Sequence, residues 1–212
     1  MTRSAKPWIR SFMQERNRPF EAPVRGFLAA LVQNPPGHAR FLNMLSMLEH
    51  IGSRKIMLSQ PVMDEDILQH LAEESRHAHF FKRQAERVAG HALPGYAPDN
   101  VTSYGAARMY FGRLDAAIAA QVEPGAAYGW VSMMIELRAC WLYAIYHETL
   151  QHAQPAISLQ GLLAEETRHL DEMYALCGRD DERLLRLGIL EAGLFTNLWA
   201  QIDPGAALMQ AA

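Results

Sequence analysis

The chain has 212 residues, half of them apolar, with 20 Lys and Arg against 23 Asp and Glu for a formal charge of −3. That is enough chain for one substantial core, so residues 1–212 are expected to form a single domain. No basic block marks a nucleic-acid or anionic-membrane surface, the N-terminal stretch lacks an apolar signal segment, and no run of about 18 uncharged apolar residues marks a membrane span.

Glycine and proline cluster at Asn34 to Gly37, Leu93 to Asn100, Glu123 to Gly125 and Asp203 to Gly205, and the segments between are rich in Ala, Leu, Met, Glu and Arg. In chain order this predicts a short helix near 21–33 and long helices near 38–58 and 64–89. A connection over 90–124 follows, with one helical piece near 105–121. Long helices near 125–151 and 154–178 come next, and a closing helix near 181–202. Val, Ile and Thr never alternate with polar residues over a useful length, so strands are not expected. The fold class is therefore all-α. Short, long and short connections between four long helices describe two antiparallel hairpins joined by a crossover, the ferritin-like connectivity among four-helix bundles. Its core would span about 38–178, with extra N- and C-terminal helices. Two cysteines, Cys140 and Cys177, make no CxxC and no disulfide framework, which fits a reducing, cytoplasmic setting.

One phrase occurs twice. Leu71 to His77 reads LAEESRH and Leu163 to His169 reads LAEETRH, one copy in the second helix of each predicted hairpin. Helical periodicity places Ile67, His70, Leu71, Glu74, His77, Ala78 and Phe81 on one face, and Leu159, Leu162, Leu163, Glu166, His169, Leu170 and Met173 on the other copy's face. A carboxylate and an imidazole one turn apart thus interrupt an otherwise mostly apolar stripe. Burying such a charge costs several kcal/mol unless it is paired or bound to a metal. If the halves correspond, the first helix of each should offer an equivalent acid. It does: Glu49 is the lone acid on the face of Leu42, Leu45, Ser46, Gly52, Ser53, Ile56 and Met57, and Glu136 is alone on the face of Ser132, Met133, Ala139, Cys140 and Tyr143.

The donor set is one Glu from each of two helices plus Glu-x-x-His from each of the other two: Glu49, Glu74, His77, Glu136, Glu166 and His169. That is the ligand inventory of a carboxylate-bridged dimetal site. Positions i and i+3 project side by side, so one turn hands a metal an oxygen and a nitrogen. Four carboxylates neutralise two divalent cations, and the imidazoles favour iron or manganese over magnesium or calcium. Two iron ions are expected, with a manganese/iron pair as the alternative.

These motifs resemble the ferritin-like di-iron carboxylate superfamily over roughly residues 38–178, and the doubled Glu73-Glu74-Ser75-Arg76-His77 and Glu165-Glu166-Thr167-Arg168-His169 resemble its O2-activating branch of desaturases and multicomponent monooxygenases. The resemblance implies that Glu73 and Glu165 orient metal-bound histidines and that Arg76 and Arg168 are counter-ions to such acids; ordinary surface i, i+3 pairs are the alternative. His70, one turn before Glu74, resembles the extra histidine ligand of arylamine N-oxygenases, although in the first motif rather than the second; a histidine hydrogen-bonded at the bundle end is the other reading. Cys140 stands where the monooxygenases place a threonine tied to proton delivery, and is otherwise a small packed core residue. Tyr143 is a radical site or, as the simpler reading, core. Trp130, Trp141 and Trp199 are expected to pack, and His38, His50, His79, His91, His147 and His152 to lie on surfaces or at helix ends.

The function this implies is a non-haem di-iron oxidase or oxygenase that uses O2 to hydroxylate, desaturate or N-oxygenate a small organic substrate. No four-cysteine rubredoxin-type module is present, so electrons come from a separate donor or from the substrate. The alternatives are a ferroxidase, iron-storage or peroxide-scavenging protein similar to ferritin and rubrerythrin, and a dimetal site kept as a structural staple. A homodimer is the expectation the superfamily carries.

Overall fold

A computed structural model describes residues 7–59, 64–154 and 156–203, and side chains from residue 14 onward. Seven α-helices occur among them: α1 Pro7–Leu31, α2 Pro35–Ser59, α3 Glu65–Ala89, α4 Tyr104–Ala119, α5 Ala127–Ala153, α6 Gln160–Leu176 and α7 Asp181–Ile202. Single 3-10 turns at Pro98–Asn100 and Pro124–Ala126 fall in the proline-bearing connections, and the described residues contain no strand. The all-α expectation holds. No helix among the described residues is long and apolar enough to cross a membrane.

Local chemistry sets the helix ends. Asp64 caps α3 by accepting from the Ile67 backbone N–H at 3.0 Å, and Asp180 caps α7 by accepting from that of Arg183 at 2.9 Å. Gly90 ends α3 at φ 73°, a left-handed conformation that glycine adopts without a Cβ penalty. Two boundaries differ from expectation. Instead of a short helix near 21–33, α1 runs from Pro7 straight through Pro19 and Pro23. The carbonyls that lose a partner there belong to exposed Glu15 and Pro19, where water can serve them. In contrast α6 starts at Gln160, six residues after the expected 154, because α5 ends at Ala153 and the chain turns back through Ile157 N–H to Gln154 carbonyl.

The chain divides into two compact units, 30–112 and the remainder, with boundaries inside α1 and α4. The first unit is an α2–α3 hairpin. Its antiparallel register can be read from side-chain pairs: Asn43 with Lys82, Ser46 with the Ala78 carbonyl, and Glu49 with His77. The segment after α3 folds back over one end. Lys82 donates to the carbonyls of Leu93 and Gly95 and to Asn43, while Tyr96 hydrogen-bonds Ser46 at 2.9 Å.

The second unit contains the antiparallel α5–α6 hairpin, its register fixed by Glu136 beside His169 and by His147 Nδ1 accepting from the Leu159 N–H at 3.3 Å. Helices α1 and α7 pack on the opposite face of α5. Phe20 and Phe27 of α1 meet Phe195 and Trp199 of α7 edge-on, with ring centroids 5.2 Å apart in both pairs. Between these helices lies a buried ion pair. Arg138 donates from Nε and Nη2 to both oxygens of Glu191 at 2.8 and 2.6 Å, and from Nη1 to Asn17 at 2.5 Å. Its guanidinium also stacks 3.8 Å from the Phe195 ring centroid.

Removing one partner would leave a charge buried alone, so Arg138→Leu and Glu191→Leu should each destabilise the fold by about 3–5 kcal/mol, whereas the double exchange should restore most of the loss; urea unfolding of the three variants measures this. His38, expected at a surface or helix end, lies in the first turn of α2 but has no exposed surface, and burial lowers its pKa from 6.5 to about 4. The unfolded chain therefore takes up a proton that the folded chain refuses. Stability should fall as pH drops from 6.5 toward 4 and this contribution should level off below, with a shallower fall for His38→Gln in urea midpoints taken at pH 7 and pH 5.

Candidate metal centre

All six predicted donors are buried, with Glu49 the most accessible at 8% and His169 fully enclosed. Each unit gathers three of them. In the α2–α3 hairpin, His77 Nδ1 lies 4.0 Å from Glu49 Oε2 and 3.9 Å from Glu74 Oε1. The α5–α6 hairpin repeats the arrangement: His169 Nδ1 lies 3.8 Å from Glu136 Oε1 and 3.6 Å from Glu166 Oε2.

These separations exceed the roughly 2.7–3.2 Å of an N–H···O hydrogen bond. Two atoms each about 2.1 Å from one metal lie about 3.0–3.8 Å apart at ordinary coordination angles; the α5–α6 separations of 3.6 and 3.8 Å fall within that span and the α2–α3 separations of 3.9 and 4.0 Å just beyond it. Glu49, Glu74 and His77 each present one ligand atom within 4.8 Å of the others. The Nδ1 atoms of His77 and His169 and one oxygen each of Glu74, Glu136 and Glu166 are buried without a hydrogen bond at that atom. The α2–α3 hairpin thus buries a carboxylate/histidine cluster able to hold a metal ion, and the α5–α6 hairpin buries Glu136, Glu166 and His169 at similar separations.

Helix geometry explains why only side chains can meet these carboxylates. Glu74 and Glu166 sit in mid-helix, where every nearby backbone N–H is already bonded four residues back. No main-chain donor is left for them. Around Glu74 the packing is tight on one side: a Cβ added to Gly52 would lie 3.0 Å from Glu74 Oε2. Gly52 was legible as a member of the α2 stripe, one turn after Glu49, but its clearance for the Glu74 carboxylate was not. Oε1 of the same carboxylate faces two imidazoles, His77 Nδ1 at 3.9 Å and His70 Nε2 at 3.5 Å. His70 is 5% exposed, so it belongs to the buried face of α3 rather than to a solvated helix end.

The residues flanking the donors are arranged differently in the two copies. Glu73 is buried and accepts from Gln69 Nε2 at 3.1 Å, with exposed Arg76 reaching to 3.9 Å. Arg168 donates to Glu172 at 2.9 Å, one turn further on, and Glu165 is half-buried. The sequence accounts for the difference, since the residue corresponding to Glu172 in the first copy is Phe80. Cys140 is half-buried and not a thiolate: burial first, then the Glu166 and Asp171 carboxylates, push it up to about 12 against a hydrogen bond with Thr167. Tyr143 and Trp130 are core, as is Trp199, while Trp141 is half-buried and stacks near Arg138.

No protein-family model, no curated protein and no solved structure matches this chain.

Gly52→Ala separates folding from the site. Alanine gains about 1 kcal/mol over glycine in a helix interior, so the metal-free protein should melt no lower than wild type. The displaced Glu74 carboxylate should nevertheless weaken metal binding, a pair of opposite signs that calorimetric melting and metal titration would register.

Proposed function

We propose that this chain is a dimetal carboxylate protein that uses O2 to oxidise a small organic substrate. The observation that carries the reading is the construction, twice over, of one buried Glu plus Glu-x-x-His triad at matching positions of two hairpins. A single such cluster would suit one structural ion. Two of them supply four carboxylates, which balance two divalent cations, with imidazoles that favour iron or a manganese/iron pair.

Glu49, Glu74, His77, Glu136, Glu166 and His169 would hold the metals. When bound, a pair of iron ions supplies electrons to O2 and the oxidising power for hydroxylation, desaturation or N-oxygenation. The chain's own contribution is positional. The helices fix each Glu and His one turn apart, and the apolar residues along the same stripes, among them Leu45, Ile56, Phe81, Met133, Leu162 and Met173, exclude water from around them. Glu73, buried beside its ligand neighbour and held by Gln69, supports the branch that the acid-Glu-x-Arg-His phrase resembles. Electrons would come from a separate donor or from the substrate, and the ferritin-like arrangement of the helices is part of the same proposal.

Wild-type protein loaded anaerobically with Fe(II) should carry two metals per chain and consume O2 in proportion to that pair. Iron accumulating in the hundreds per assembly would instead mark a storage protein. Glu74→Ala and Glu166→Ala should lose the second metal or both. Because each removes a buried acid, neither should lower the melting temperature of the metal-free form, while both should lose the stabilisation of about 2.7 kcal/mol that a ligand at 100 times its Kd confers. Two metals retained in either variant, by elemental analysis, would refute the assignment.

A further inference from the structure

Helix α3 turns a second face away from its donors, and that face is basic. Arg76, His79, Arg83 and Arg87 are all exposed and recur every three or four residues, so they form one stripe about 16 Å long. Beyond Glu74 the helix carries one acid, Glu86, which is turned aside to the Leu93 N–H at 3.1 Å and toward Lys82 at 3.7 Å. Arg76 approaches buried Glu73 at 3.9 Å while its side chain stays 54% exposed. The helix dipole favours Arg87 in the last turn but does not extend to Arg83 or Arg76. Like charges four residues apart, as at 83 and 87, repel on a helix surface. Helix stability therefore accounts for only one member of the stripe.

The other hairpin offers a comparison. The positions 92 residues on are Arg168, Asp171, Ala175 and Arg179, and Arg168 is paired with Glu172 at 2.9 Å. The basic stripe is thus absent from the equivalent helix, and it is opposite in sign to the chain as a whole, whose formal charge is −3. It also lies close to the donors. Glu74 and His77 occupy the opposite face of the same helix, and an α-helix with its side chains is about 10–12 Å across. A protein seated on the stripe is one helix away from that donor cluster. With two cysteines the chain cannot build a four-cysteine iron–sulfur centre, so a carrier of electrons has to be a separate molecule.

We propose that the outer face of α3 docks an acidic one-electron carrier protein of the iron–sulfur ferredoxin class, which delivers electrons to the metals. The step rests on the dimetal reading above. Each docking event oxidises one carrier and reduces one metal ion from the trivalent to the divalent state, so two reduced carriers serve one metal pair and no bond is made or broken. Carboxylates on the carrier meet the guanidinium groups, a complementarity that speeds encounter more than it tightens the complex. A stripe of four side chains suits the small contact of an electron-transfer pair. A nucleic acid or an anionic membrane would extend past the stripe onto a chain of net negative charge.

The docking step can be measured without metal. Calorimetric titration of the metal-free full chain with an acidic two-iron, two-sulfur ferredoxin should show one carrier bound per chain, more weakly as salt is raised. Reversing both Arg83→Glu and Arg87→Glu should weaken binding by about 10-fold or more. Arg113→Glu with Arg186→Glu changes the net charge equally at exposed positions of α4 and α7, and should bind as wild type does. Equal weakening by the two pairs would overturn the proposal, since bulk charge would then explain the binding. Absence of binding would overturn it too, as would full binding by the α3 variant, or a wild type that adheres to phosphatidylserine vesicles and not to the ferredoxin. In iron-loaded, oxidised protein, stopped-flow reduction by reduced ferredoxin should slow by a similar factor in the α3 variant, whereas dithionite, which needs no docking surface, should reduce variant and wild type alike. Unchanged reduction by ferredoxin would refute electron delivery through α3. Ferredoxin bound at α3 by a chain that holds fewer than two iron ions would instead remove the dimetal reading and, with it, the destination of the electrons.

Discussion

A carboxylate buried in the middle of an α-helix has nowhere to turn for a hydrogen bond except other side chains, and that constraint shapes both hairpins. Taking an ion of this kind out of water costs several kcal/mol after relaxation. At a helix N-terminus free backbone N–H groups could offset the cost, as they do for Asp64 and Asp180. Glu74 and Glu166 lie well inside α3 and α6, where the main chain has already spent its donors on itself. What remains is an imidazole one turn along, an acid from the partner helix, and whatever cation the cluster can draw in. A second carboxylate in each hairpin, Glu49 or Glu136, raises the negative charge further instead of relieving it. Such an arrangement lowers stability unless a ligand repays it.

The second unit offers an internal control, because it also contains buried charge of a different kind. Arg138 and Glu191 form two parallel hydrogen bonds, with Asn17 taking up a further guanidinium donor and Phe195 covering the cation. That pair is locally neutral and its separations are those of charge-assisted hydrogen bonds. It needs nothing from solution. The triads are the reverse, two acids around one imidazole at separations of 3.6–4.0 Å, wider than hydrogen bonds. Both kinds of cluster sit on α5, two residues apart in sequence, on faces that point to different neighbours: Glu136 toward α6, Arg138 toward α1 and α7. The position of a buried charge in the chain therefore says little about its role. The balance of charge around it and the spacing of its partners say much more.

How much of this could be read without coordinates depended on whether the signal repeats. The phrase LAEESRH and its near copy made α3 and α6 legible together, and the search for matching acids then singled out Glu49 and Glu136, each inside an apolar stripe. All four stripes are inward, apart from Met57 at the end of α2, which is 59% exposed. The Arg138–Glu191–Asn17 cluster was invisible because its members are 53 and 121 residues apart and no local spacing relates them. His38 does lie at a helix end, in the first turn of α2, but such a position reads as solvated, and only the packing of α2 shows it enclosed. Pro19 and Pro23 ordinarily end helices, but here the carbonyls they leave unbonded face water, so α1 passes through both.

The near identity of the two phrases also directs attention to where the halves part. Following each lone acid, the α2 face has Gly52 and Ser53 where the α5 face has Ala139 and Cys140; preceding it, Ser46 stands opposite Met133. With His70 against Leu162, these differences make the α2–α3 hairpin the more polar or the more open at these positions, while Leu45 against Ser132 and Ile56 against Tyr143 run the other way. Ser46 spends its hydroxyl on the Ala78 carbonyl and Tyr96, and Ser53 spends its own on the His50 carbonyl, so these polar groups are structural where they stand. Gly52 leaves room for the Glu74 carboxylate, and His70 faces it.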